Sequence, residues 1–102
     1  MSFKPAIERI EADLAPLMER FFNNSKKDVE AMRRALSDGD METLRRMGHT
    51  AKGTGYGYGM RGLGDLGLSL EAAAQGCDAA GCEDVIERMA RYLDTVVVEF
   101  RS

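Results

Sequence analysis

The chain has 102 residues, 44% apolar and 30% charged, with a formal net charge of −3. That size supports a single domain over residues 1–102 with one hydrophobic core, leaves no room for a separate catalytic domain, and is paired with a composition too apolar for a disordered chain. The mild acidity excludes a nucleic-acid binder built on a broad basic surface, and no apolar run approaches the length of a membrane span.

The first residues, MSFKPAIERIEADL, interleave charges with apolar side chains and do not form a signal peptide, so a cytoplasmic location is expected. Pro5 to Ala12 read as a short leading helix or arm, and Asp13 can cap a new helix with Pro16 in its first turn. From there Leu14, Leu17, Met18, Phe21, Phe22, Val29, Met32 and Leu36 recur at the three- and four-residue steps of an amphipathic helix. The polar Asn23-Asn24-Ser25 stretch is compatible with a bend, but the apolar period carries through it. Ser37-Asp38-Gly39-Asp40 is a break: Gly39 suits the left-handed conformation after a helix, and Asp40 can cap the next one.

In the third predicted helix Met41, Leu44, Gly48, Ala51, Gly55 and Tyr58 form one inward stripe. After Gly59 a further helix carries Leu63, Leu66, Leu70 and Ala73, and Gly76 to Gly81 read as a loop. The last helix places Cys82, Ile86, Met89, Leu93, Val96 and Phe100 on its buried side. Val96-Val97-Val98 has strand character, but no other segment offers a strand to pair with, so helix is expected. The pattern is all-α, an antiparallel up-and-down four-helix bundle with a short N-terminal helix or arm, monomeric by default.

Charge is segregated within it. Residues 43 to 64 contain Arg45, Arg46, Lys52 and Arg61 and no acid, a sum of +4 against −7 for the rest. The only histidine, His49, lies in this strip, off the inward stripe, with Arg45, Lys52, Gly53 and Tyr56 stacked along its face. A +4 strip fits one anionic group on another protein.

Glycine inside a helix costs about 1 kcal/mol relative to alanine. Gly48, Gly53, Gly55 and Gly57 together forgo roughly 4 kcal/mol in a domain whose whole stability is ~5–15 kcal/mol. Gly48, Ala51 and Gly55 let a neighbouring helix or its large side chains come close, whereas Gly53, one turn from His49, clears the approach to the imidazole. A phosphate-cradling loop is excluded by context, because Lys52 precedes Gly53 and a helix stands where a strand is required.

A neutral imidazole presents one free nitrogen lone pair for attack on phosphorus, and Lys52 and Arg45 can stabilise the charge that develops on the phosphoryl oxygens. No Asp or Glu near His49 in sequence suggests a general base. Cys77 and Cys82 are expected as reduced thiols remote from His49, which disfavours a Cys-His enzyme, and no recognised spacing supports a metal site.

The run His49-Thr50-Ala51-Lys52-Gly53-Thr54-Gly55 through Gly59 resembles the signature of histidine phosphotransfer (HPt) domains: histidine, any residue, usually leucine, lysine, glycine and a small residue, then a further glycine near ten positions on. The resemblance extends to Phe21-Phe22, the Gly39-Asp40 junction and Leu70-Glu71-Ala72-Ala73, with Ala51 in place of leucine as its main departure. It implies His49 as the phosphorylated residue, Lys52 as the phosphate-stabilising cation and Gly53 as the opening for the partner. Arg45, Arg46 and Tyr56 would touch that partner, a response-regulator receiver domain, with a hybrid histidine kinase as a further candidate. The chain would need no cofactor of its own, Mg²⁺ being expected on the receiver. No segment is suited to ATP, so self-phosphorylation is not expected, and a full-length resemblance beginning at Met1 favours a free-standing protein. The competing reading is a helical adaptor that docks an acidic protein through the same face, with His49 incidental.

Overall fold

A computed structural model describes residues 4–102. Its core is an all-α four-helix bundle: α1 (Met18–Ser37), α2 (Met41–Tyr58), α3 (Arg61–Gln75) and α4 (Ala79–Thr95). Each helix packs against its neighbours in a ring, α1 on α2 and α4, α3 on α2 and α4. Leu44, Met60, Leu70, Cys82, Ile86 and Met89 are fully buried at its centre. α1 runs unbroken through Asn23-Asn24-Ser25, as its apolar period requires.

The α1–α2 and α2–α3 connections carry their expected chemistry. Gly39 takes the left-handed conformation, φ 69°, and Asp40 caps α2 by accepting the Thr43 N–H at 3.1 Å and its hydroxyl at 2.6 Å. Gly59 ends α2 at φ 84°.

Several expectations are corrected. The leading segment, expected as a helix or an arm, is an arm containing a strand, β1 (Ile7–Glu11), followed by a 3-10 helix over Ala12–Leu17 in place of an α-helix capped by Asp13. The last helix stops at Thr95, and β2 (Val97–Arg101) pairs in parallel with β1, Ile7 opposite Val97 and Glu11 opposite Arg101. Phe100, expected in the core, is 48% exposed. α4 also begins earlier than expected, at Ala79, where Asp78 caps it by accepting the Gly81 N–H.

β1 misleads because its inward positions are Glu8 and Ile10, so a carboxylate occupies a core-facing site. Glu8 is 6% exposed and accepts from the Tyr92 hydroxyl and the Gly62 N–H, each at 2.6 Å. The second bond satisfies a free amide at the start of α3, whose own N-cap residue, Met60, provides none. Burial and the Glu8 carboxylate push the Tyr92 phenol far above its ordinary value, so it stays a donor.

Candidate functional site around His49

Glycines set the spacing of α2 and α3. A Cβ at Gly48 would stand 2.6 Å from the Glu71 backbone nitrogen and 2.9 Å from the Gly67 oxygen, and one at Gly55 would strike the Gly64 backbone. The contact is reciprocal: a Cβ at Gly67 would come 2.8 Å from the Gly48 oxygen, and Gly64 accommodates the Tyr56 ring. The helices therefore touch backbone to backbone, which carries α3 side chains up to the exposed face of α2.

Glu71 is the one that matters. His49 Nδ1 lies 2.8 Å from Glu71 Oε2, and Lys52 Nζ donates to Glu71 Oε1 at 3.1 Å. The Glu71 side chain is only 18% exposed, whereas that of His49 is 65% exposed. The Lys52 hydrogen bond, followed by that of His49, holds the Glu71 carboxyl below its ordinary value. An ionised carboxylate can only accept, so the proton of the contact sits on Nδ1. In the neutral ring the lone pair is then on Nε2.

The acid-free surround expected for His49 is thus overturned: an acid reaches it from α3, invisible to any reading confined to residues near 49. Gly48 packs against Gly67 and Glu71, which places position 71 beside position 49, and that register between two helices is carried by no local pattern in the sequence. The basic strip is also partly neutralised along α2. Arg45 binds Glu42 through two bonds, of 3.0 and 2.7 Å, and Arg46 reaches the same carboxylate at 3.3 Å. Led by the Arg45 hydrogen bond, these cations lower the Glu42 carboxyl to about 2.

Gly53 faces open space, with nothing within 4 Å of where its Cβ would be, and Gly57 one turn on is the same. His49, Gly53 and Gly57 form a bare stripe leading from the imidazole along α2. Tyr56 beside it is 46% exposed, its hydroxyl donating to Asp65 Oδ1 at 2.6 Å. Tyr58 turns inward and packs on Phe21, ring centroids 4.7 Å apart. On the side of α2 away from Glu71, a groove of about 210 Å³ opens towards α1 between Arg46, Thr50 and Thr54 and the α1 residues Ser25 and Asp28, over an apolar floor that includes Met32 and Leu63.

Cys82 is fully buried, which raises its thiol pKa, and Cys77 is exposed in the α3–α4 connection. Among the described residues, no three histidine, cysteine, aspartate or glutamate side chains group to hold a metal ion, and no helix is long and apolar enough to cross a membrane. The sequence model of the Hpt domain family matches residues 16–99, a span from the 3-10 helix into β2. No curated protein and no solved structure gives a match.

Proposed function

Because the chain belongs to the Hpt domain family, whose members act in histidine phosphotransfer within phosphorelays and interact with receiver domains, we propose that His49 accepts a phosphoryl group from the phosphoaspartate of one response-regulator receiver and passes it to the aspartate of another. The supporting observation is the 2.8 Å contact of His49 Nδ1 with the Glu71 carboxylate on a side chain that is 65% exposed: in the neutral ring it favours the proton on Nδ1 and leaves the Nε2 lone pair as the nucleophile.

In the accepting step the Nε2 lone pair forms the N–P bond as the bond from phosphorus to the aspartate oxygen breaks, its electron pair returning to the carboxylate. Onward transfer is the reverse reaction on a second receiver. As His49 gains a phosphoryl group its ring becomes cationic, and Glu71 compensates that charge through the Nδ1–H contact. Lys52, one turn from His49, faces the phosphoryl oxygens, and Gly53 and Gly57 leave the partner room to bring its phosphorus in line. Arg45 and Arg46 exchange their shared Glu42 for acidic groups of the receiver, which chiefly speeds and orients encounter, and Tyr56 offers a ring at the edge of the same surface. The receiver supplies the Mg²⁺ that balances phosphoryl charge. A hybrid histidine kinase is the partner class that would charge the donor receiver.

The test is phosphoryl transfer from a panel of kinase-charged receivers. Acid-labile, base-stable label is expected on the wild-type protein and is expected to vanish in His49→Gln with helical circular dichroism unchanged. Label retained by His49→Gln refutes the site. A receiver that binds both proteins equally while labelling neither supports the adaptor reading instead.

A further inference from the structure

The two strands of the small sheet have unequal outer edges. Val97 N–H donates to the Ala6 carbonyl at 2.9 Å, so Val97, Glu99 and Arg101 direct their backbone groups to β1, while Val98 and Phe100 direct theirs the other way. On β1 the outward groups are those of Ile7, Arg9 and Glu11. The α2–α3 turn covers that edge, since a Cβ at Gly59 would sit 3.5 Å from the Arg9 carbonyl oxygen. β2 meets the 3-10 helix that follows β1, but among the described residues no third strand pairs with it. Its outer edge therefore presents the Val98 and Phe100 amides and carbonyls without a strand partner, beside the half-exposed Phe100 and Val97.

We propose that β2 is a strand-addition site for a second copy of this chain, pairing antiparallel about a two-fold axis at Phe100. Charge selects the occupant and the register. With Phe100 opposite Phe100 of the other copy, Glu99 falls directly opposite Arg101, and the outward backbone groups of Val98 and Phe100 meet hydrogen-bonding partners. Shifting the axis to Glu99 would set two carboxylates against each other.

Within one chain Arg9 already pairs with Glu99 at 3.5 Å and Glu11 with Arg101 at 3.0 Å. The four-stranded sheet then carries two rows that alternate in sign: Arg9, Glu99, then Arg101 and Glu11 of the other copy. Phe100 shares its face with Ile10, so the two phenyl rings cover each other where one chain leaves them wet. β1 stands between β2 and the α2–α3 turn, so the open edge points away from α2 and both His49 residues remain accessible. The contact is small beside the ~1,600 Å² of a standard interface, so the dimer forms at high protein concentration.

Sedimentation equilibrium over rising concentration, into the millimolar range, reads this directly. The wild-type mass is expected to climb towards twice that of the monomer. Val98→Pro removes an outward N–H without touching the β1 ladder, and is expected to stay monomeric with an unchanged helical spectrum. Glu99→Arg and Arg101→Glu each place like charges across the axis and are expected to be monomeric alone, yet to form a one-to-one dimer when mixed. A wild-type protein monomeric throughout overturns the proposal. So does a dimer that persists in Val98→Pro, or a mixture of the two charge variants that fails to associate.

Discussion

Glu71 shows how one side chain from a neighbouring helix can orient a surface imidazole. In water a neutral imidazole is free to carry its proton on either nitrogen, whereas the Glu71 carboxylate favours the form with the proton on Nδ1. Glu71→Ala is expected to shift the tautomer population towards Nε2–H in ¹⁵N NMR spectra and to slow phosphoryl acceptance about tenfold, the scale of one orienting hydrogen bond. Glu71→Gln keeps an acceptor and is expected to retain the Nδ1–H form. Because the carboxyl of Glu71 lies below 4.5, its contribution is complete above that pH and is lost as acid takes the protein through the lowered value. Gly53 makes the complementary prediction. A Cβ at Gly53 meets nothing within 4 Å, so in Gly53→Phe the unfolding midpoint should hold or rise slightly. Transfer from the same receiver should nonetheless fall about a hundredfold, because a ring beside His49 displaces the incoming phosphorus. His49, Lys52 and Gly53 could all be singled out in the sequence because they sit on one helical face, whereas Glu71 comes from another helix and could not.

The contact between α2 and α3 is where glycine does two different jobs. At Gly48, Gly55 and Gly67 the missing side chain brings two backbones together, while at Gly53 and Gly57 it leaves the outer surface bare. Gly67→Ala should therefore destabilise the bundle by about 1–3 kcal/mol, since the new methyl must force the helices apart, and it should loosen Glu71 from His49 at the same time. Gly57→Ala should stabilise it by about 1 kcal/mol through helix propensity alone. Urea unfolding of the two variants, opposite in sign, separates these roles. The sequence foretold Gly48 and Gly55 from their places on the inward stripe. It did not foretell Gly64 and Gly67, because the facing helix cannot be registered against α2 from periodicity alone.

At the scale of the whole molecule, the bundle was legible and the sheet was not. Core positions such as Leu44, Leu70, Ile86 and Met89 each belong to an apolar repeat within their own helix, so a local window reveals them. β1 and β2 gain strand identity only from each other, across ninety positions of chain, and the inward Glu8 hides the alternation that would have announced the first strand. Glu8 also ties the sheet to the bundle. Glu8→Ala leaves the Tyr92 hydroxyl and the Gly62 amide without their acceptor and should cost about 1–3 kcal/mol in urea unfolding, with Glu8→Gln losing less.

The parallel pairing of the first strand with the last also fixes an order of events during synthesis. At ribosomal speeds β1 waits on the order of ten seconds for β2 to be made, while α1, α2 and α3 are already free to pack. Throughout that interval Ile7 and Ile10 belong to an orphan strand, the kind of segment that recruits other nascent chains. Glu8, Arg9 and Glu11 put three charges into its five residues and keep it soluble until its partner emerges. The carboxylate that the finished core must accommodate at Glu8 thus serves first as a guard on the unfinished one.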